Sequence, residues 1–515
     1  MQLRGCSKQP RFPRCHPYSS PGRLYRMQLP TTPTDDSSRI QMSKLTLVTS
    51  PSNSSAAERK PRLDLLRGHP STRLLPTHAI YEAAGVALNS PSLLPQDSYA
   101  ENRHPLAYGA DNGNANVREE IGRWCAERYR LREAIPLERI FLTNGASYGL
   151  QTALSLFTSP VTGYTKCAFV LSPTYFLAGR TFEDAGFASR IVAVRTTRTS
   201  LDFDGLLAQL RRVDAERPDV SLEEGLRPLL RGGAPQAAKR LFKFVLYCVP
   251  TYSNPTGETM DLDSRRRLVQ IAREWDMLII CDDVYDFLGN DDQPAVPPMR
   301  LVSIDAETLP RDKPEGETGN TISNCSFSKL VGPGLRAGWI ESATGVLAKQ
   351  LGDGGANHSG GCPSQFTSTL LYPLLLPLSA RNPVRKIDSI ISTLTLAYTL
   401  RCGALVAAIH EFLPAGTEVW GGRGGFFVWV GLPKELDAWE IVRLAAAYEG
   451  LVVASGGMSE CPGEGNALGW ADRWLRIAVS YCEEEELVEG VKRLARAVDR
   501  WREGERAVKS DVEVK

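Results

Sequence analysis

The chain has 515 residues, 42% hydrophobic and 23% charged, which is the profile of a soluble globular protein rather than a disordered or fibrous one. A formal charge of +1 gives no general electrostatic attraction to nucleic acid or to an acidic membrane, so neither is expected as a partner. Eleven cysteines without paired CxxC spacing fit reduced thiols in an intracellular enzyme better than a disulfide framework, and six histidines without an HExxH-like arrangement argue against a metal centre.

Residues 1–60 read as a disordered basic extension rich in Arg, Ser, Pro and Thr, without an apolar core of secretory-signal length. Their basic, serine-bearing character also fits a mitochondrial transit peptide. However, Pro10, Pro13, Pro17, Pro21 and Pro30 disfavour the amphipathic helix such peptides form, and a start at Met27 or Met42 is a third reading. The expected compartment is cytoplasmic, with the mitochondrion as the alternative. Folded structure is expected from near Leu63, and Ile121, Trp124, Cys125 and Tyr129 recur at helical intervals.

Ile140–Thr143 predicts a short apolar strand, followed by a turn at Gly145 and a helix start whose free N–H groups attract phosphate. Cys167–Leu171 predicts a buried strand that runs into Ser172-Pro-Thr-Tyr175. Residues 201–240 read as a charged insertion with a solvated face, and Arg231-Gly-Gly-Ala-Pro235 as a flexible loop. Phe242–Val249 has the continuous apolar character of a buried parallel strand and leads into Pro250-Thr-Tyr-Ser-Asn-Pro-Thr-Gly257, with a helix expected over Asp263–Trp275. Met277–Ile280 predicts another buried strand, ended by Cys281-Asp-Asp-Val-Tyr285. Active sites of open α/β sheets gather at such carboxyl ends. Adjacent strand residues face opposite ways, so only one of Asp282 and Asp283 can serve a given site.

Beyond Ser326-Phe-Ser-Lys-Leu-Val-Gly-Pro-Gly-Leu-Arg336, a return strand is expected from Gly338, and Gly352–Gly361 reads as a Gly-rich loop that either closes near the site or merely links. The apolar run Leu370–Leu378 holds Pro373 and Pro377 and is too short to span a bilayer. A long helical pattern covers Ile387–Phe412, strands are expected at Gly424–Val430 and Trp474–Ser480, and the chain from Arg506 reads as a frayed tail.

The stretch Ser326–Arg336 resembles the lysine turn of fold-type I enzymes that use pyridoxal 5′-phosphate, specifically the class I/II aminotransferases. Leu106-Ala-Tyr-Gly109 to Arg118, Asn254-Pro-Thr-Gly257, Cys281–Tyr285 and Trp474–Ser480 are similar to further segments of that family, in its order. The resemblance implies an α/β fold: a large lobe with a mostly parallel seven-stranded-type sheet between helices, and a small α+β lobe built from both chain ends. The corresponding spans are 61–105 (small lobe), 106–380 (large, cofactor-binding lobe), 381–505 (small lobe) and 506–515 (tail).

It implies that Lys329 is the catalytic amine, which bonds to the cofactor aldehyde and moves the substrate α-proton. Ser326, Ser328, Arg336, Ala146 and Ser147 are implied at the cofactor phosphate, joined by Tyr108 reaching across a homodimer interface. Tyr175 is implied on the face of the pyridine ring, Asp282 at its nitrogen, and Asn254 and Tyr285 at its phenolate oxygen. Arg476, with Asn254 and Gly68, is implied at the substrate. The family more often shows two glycines where this chain has Arg67-Gly68, so Arg67 reads either as a side-chain-selecting residue or as a solvated one. The wording of the motifs is closest to 2-aminoadipate and aromatic aminotransferases, with 2-oxoglutarate a common acceptor. A lyase using the same cofactor, such as a C–S lyase or an aminocyclopropane-carboxylate-synthase-like enzyme, keeps the same residues. A transcription regulator with an aminotransferase-like domain would need a winged helix that 1–60 is too short to supply.

Overall fold

The computed structural model describes residues 61–89, 104–226, 239–290, 296–310, 318–361, 363–379, 382–461 and 468–506. The extension 1–60, the Arg231–Pro235 loop and the tail from 507 lie outside the described residues.

Seven strands form one sheet: β1 (Ile140–Thr143), β2 (Cys167–Ser172), β3 (Ile191–Arg195), β4 (Phe244–Cys248), β5 (Met277–Asp282), β6 (Thr321–Ser326) and β7 (Gly338–Ser342). Their order is β1-β7-β6-β5-β4-β2-β3. Only β7 runs antiparallel to its neighbours. Every residue of β2, β4 and β5 is buried, as expected of strands covered by helices on both faces. Alternate residues feed two separate cores. Leu278 and Ile280 pack with Phe141, Leu154 and Tyr247, while Met277 and Ile279 pack with Leu210, Leu246 and Leu268.

A second sheet holds four antiparallel strands, β8 (Glu418–Gly421), β9 (Phe427–Gly431), β10 (Ala454–Ser455) and β11 (Trp474–Ala478), in the order β8-β9-β11-β10. Leu63 and Leu65 join the core beneath it, and Leu63–Asp64 pairs in parallel with Leu451–Val452. Helix Lys386–Phe412 ties the sheets together. Ile387, Ile391 and Tyr398 pack in a core with Trp124 and Phe327, and Leu405 and Ile409 pack beneath the second sheet. Among the described residues it is the one helix long and apolar enough to cross a membrane, but its inner face is committed to these cores.

Three segments differ from the sequence expectation. Residues 201–240 are not simply a solvated face: Phe203–Glu216 is a helix whose Phe203, Leu206, Leu210 and Val213 are buried against the large sheet. Those residues stand three and four apart, and the high charge of the stretch hid that periodicity. The Gly352–Gly361 stretch is helical over Asn357–Gly361. Asn357 is pinned there by the Tyr148 hydroxyl at 3.0 Å and by its own bond to the Leu351 carbonyl at 2.7 Å, and His358 Nδ1 pairs with Asp111 at 2.7 Å. The strand expected at Gly424–Val430 starts only at Phe427, because Gly425 turns at φ +70° and donates its N–H to the Leu288 carbonyl.

Candidate active site

Five strands of the large sheet deliver their carboxyl ends to one cleft. β5 ends on Asp282, β6 enters the Phe327–Lys329 turn, β4 leads to Pro250–Gly257, β2 to Tyr175, and β1 to Gly145. The cleft holds about 590 Å³. Lys329, Asp282, Tyr285, Asn254 and Tyr175 line one part of it. Ala146, Ser147, Ser326, Ser328 and Arg336 line another, and Gly68 and Arg476 also face it. Residues spread over more than 400 positions of chain therefore share one cavity.

Asp282 is buried, and its Oδ2 accepts the Tyr247 hydroxyl at 2.7 Å. Its Oδ1 is buried with no hydrogen-bond partner. Burial lifts the carboxyl to about 6, opposed by the Tyr247 bond, while the Asp283 charge adds to the rise and Lys329 opposes it. Asp283 turns the other way, to the Ser323 hydroxyl. Of the two neighbouring carboxylates, Asp282 lines the cleft and Asp283 does not.

Lys329 ends its turn with Nζ 3.4 Å from the Gly68 carbonyl and 5.7 Å from the centre of the Tyr285 ring. Burial lowers its amine from 10.5 to about 8. Asp282 resists that shift, and the Arg476 and Arg336 charges deepen it. An amine so placed is neutral in a far larger fraction near pH 8 than an exposed lysine, as a proton-moving group requires.

The other end of the cleft is built for an anion. Helix Ala146–Phe157 starts after Gly145, at φ +93°, where a Cβ would stand 2.5 Å from Arg336 Nη2. Only glycine lets the guanidinium approach the helix terminus so closely. Arg336 donates to the Asn144 carbonyl at 3.1 Å and to Ser328 Oγ at 3.3 Å, and Ser326 Oγ donates to Ser328 Oγ at 2.9 Å. Two hydroxyls, a guanidinium and a helix N-terminus thus converge.

Arg476 reaches in from β11. Its Nη1 donates to Asn254 Oδ1 at 3.0 Å and its Nη2 to the Leu66 carbonyl at 2.8 Å, but its Nε is buried without a partner. The guanidinium lies 4.4 Å above the Phe427 ring, and burial lowers its pKa to about 10, against Tyr285 and Tyr175. Asn254 also bonds to Tyr285, whose hydroxyl is driven well above its ordinary value chiefly by burial.

Tyr108 stands apart. It is 73% exposed, lies near Gly360, and does not line this cavity. Three further residues escaped the sequence reading. Tyr247 supports Asp282, and its signal was a hydroxyl inside a fully buried strand, which requires a partner. Phe427 floors the cleft under Arg476 and Gly68. Arg265, fully buried, clamps the Asn254 loop through the carbonyls of Pro250 and Met260 at 2.8 and 2.9 Å.

The model of the family "Aminotransferase class I and II" matches residues 89–494. The chain belongs to that family. An uncharacterized protein of Saccharomyces cerevisiae is 37% identical over 84% of this chain and 95% of its own length. The aromatic-amino-acid aminotransferase 1 of Thermococcus litoralis is 26% identical, covering 83% of this chain and 89% of its own. The 2-aminoadipate transaminase of Thermus thermophilus is 25% identical, with coverage of 80% and 88%. Among solved structures, the multiple substrate aminotransferase of Thermococcus profundus superposes with a TM-score of 0.66 at 24% identity, over 87% of this chain and 94% of that one. LysN, the α-aminoadipate aminotransferase of Thermus thermophilus, gives 0.63 at 22% identity, over 85% and 92%. The fold is that of the fold-type I enzymes, and the protein is a pyridoxal-phosphate-dependent aminotransferase.

The residues present fit that cofactor. The unpartnered Asp282 Oδ1 is a buried acceptor for a protonated ring nitrogen, and the serine–arginine–helix cluster is a donor set for a phosphate. The unpartnered Arg476 Nε offers a further buried donor for a carboxylate.

Proposed function

We propose that the enzyme transfers the amino group of an L-amino acid of the 2-aminoadipate or aromatic class to a 2-oxo acid such as 2-oxoglutarate, working as a homodimer. The observation that carries this reading is the convergence of Lys329, Asp282 and Arg476 on one cleft, with a buried polar atom of each of the last two left unpaired. The printed names of the relatives in Thermococcus litoralis and Thermus thermophilus support the two donor classes.

In this mechanism Arg476 holds the substrate α-carboxylate through paired hydrogen bonds, and Asn254 keeps the guanidinium aligned. That grip fixes the α-carbon against Lys329, whose lowered pKa lets its neutral amine take the α-proton and return it. Pyridoxal phosphate, when bound, supplies the electron sink for this proton movement. Asp282 would pair with the ring nitrogen and keep it protonated, and Asn254 and Tyr285 would hold the phenolate oxygen. Tyr175 would lie against the ring, and Ser326, Ser328, Arg336 and the N–H groups at Ala146 and Ser147 would hold the phosphate. The packing of Phe427 beneath Arg476 excludes water from the charged pair and strengthens it.

Tyr108 and Leu106, at 73% and 71% exposed, lie outside their own cleft. That exposure supports a role for Tyr108 at the phosphate of a neighbouring subunit. A screen of amino donors with 2-oxoglutarate as acceptor tests the reading: glutamate forms with 2-aminoadipate or an aromatic donor. Absence of glutamate with every donor of both classes overturns it.

A further inference from the structure

The segment Leu66–His69 is fastened to the reacting groups on either side of Arg67. The Leu66 carbonyl accepts from Arg476 at 2.8 Å, the Gly68 carbonyl from Lys329 at 3.4 Å, and the His69 carbonyl from Ser480 Oγ at 2.9 Å. Gly68 is pressed so closely on Phe427 that a Cβ would stand 2.5 Å from the ring. The backbone that carries Arg67 is therefore registered to both the catalytic amine and the α-carboxylate site.

The Arg67 guanidinium, by contrast, is loosely held. Its contact with Asp64 Oδ2 is 3.8 Å, longer than a hydrogen-bonded pair, and its side chain is 43% exposed. It rests over the Tyr481 ring at 4.7 Å. Asp64 is already engaged: Oδ1 accepts the backbone N–H groups of Leu66 and Arg67 at 3.1 and 3.2 Å, and Oδ2 is shared with Arg62 at 3.8 Å. Two guanidinium groups thus face one carboxylate at the rim of the cleft. His69 also lines the rim, and burial, with Lys329 and Arg67 nearby, holds its imidazole below its ordinary value and favours the neutral form. The rim carries a net positive charge and a planar donor fork without a close acceptor.

We propose that Arg67 is a specificity-determining residue: it selects amino acids and 2-oxo acids whose side chain ends in a carboxylate, exchanging its loose contact with Asp64 for a paired hydrogen bond to that group. This rests on the aminotransferase reading of the cleft and narrows it. A guanidinium suits the role because it meets a carboxylate with two parallel N–H bonds, which a lysine does not.

The test compares the cofactor-loaded enzyme with Arg67→Gln and Arg67→Lys. In the first arm each protein is titrated with glutarate or valerate, carboxylates of equal length that cannot react, and the cofactor absorbance is followed. Wild type binds glutarate at least ~10-fold more tightly than valerate. Arg67→Gln removes most of that preference without changing valerate affinity, and Arg67→Lys keeps part of it. In the second arm kcat/KM for 2-aminoadipate falls ~10–100-fold in Arg67→Gln, while that for phenylalanine stays within about threefold. A glutarate preference that survives Arg67→Gln overturns the proposal. So does an equal loss for both donors, or wild-type preference for valerate, which would assign Arg67 to packing on an apolar side chain. The binding arm reads Arg67 without turnover, so an enzyme that transfers no amino group from any donor would sink the functional reading separately.

Discussion

The Tyr247 hydroxyl donates to Asp282 Oδ2 at 2.7 Å across adjacent strands, and this bond leaves Oδ1 as the buried carboxylate oxygen without a partner. It also opposes the burial that lifts Asp282 to about 6. Tyr247→Phe therefore raises that pKa further. A carboxyl is ionised only above its pKa, so cofactor affinity in the variant begins to fall at a higher pH as the solution is acidified. At neutral pH the dissociation constant for pyridoxal phosphate rises by about tenfold. Titration of the apoprotein with cofactor between pH 5 and 8 measures both effects.

Lys329 is held in the folded state at a stability cost. Lowering its amine from 10.5 to about 8 disfavours the folded, protonated form by roughly 3 kcal/mol at neutral pH. Below pH 8 both folded and unfolded states are protonated and the cost is complete; above 10.5 both are neutral and it is gone. Lys329→Met should therefore stabilise the apoprotein most below pH 8. The gap to wild type narrows as pH rises to 10.5, as followed by denaturant unfolding across that range.

Arg476 is aligned by Asn254 and the Leu66 carbonyl, so its loss removes a positioned, charged grip. Arg476→Gln lowers kcat/KM for every amino donor by about 100-fold, with a smaller change in cofactor affinity. Steady-state kinetics with separate cofactor titration distinguishes the two.

Arg265 is a structural clamp. Its replacement by Met leaves the Met260 and Met299 carbonyls without their side-chain donor, and the Pro250 carbonyl with only the Met260 N–H. Unfolding in urea should show a loss of roughly 3 kcal/mol or more, and the cofactor should bind less tightly because Asn254 is no longer held.

Much of this site was legible because its residues carry local signatures. The Lys329 turn combines Gly, Pro, Ser and Arg at fixed spacing, and Asp282 ends a strand whose apolar run is continuous. The two-fold facing of a strand shows only that one of Asp282 and Asp283 can serve the cleft; it was the family resemblance that picked Asp282. What remained hidden depends on distant packing. Tyr247 looks like any strand aromatic until Asp282 is placed beside it, and Arg265 looks like a surface residue of a charged helix although it is fully buried. Phe203–Glu216 was masked because its charged residues outnumber the four apolar ones that face the sheet. The exposed position of Tyr108, outside the cleft, is not encoded in the spacing of its motif.

The central claim is that the Lys329 amine moves the substrate α-proton. The most direct measurement is a single turnover of cofactor-loaded Lys329→Ala with an amino donor that wild type accepts, following 2-oxo acid release. The account predicts a loss of ~1,000-fold or more relative to wild type, with the cofactor still bound through the Arg336 and Asp282 sites. Release at a rate close to that of wild type would contradict it.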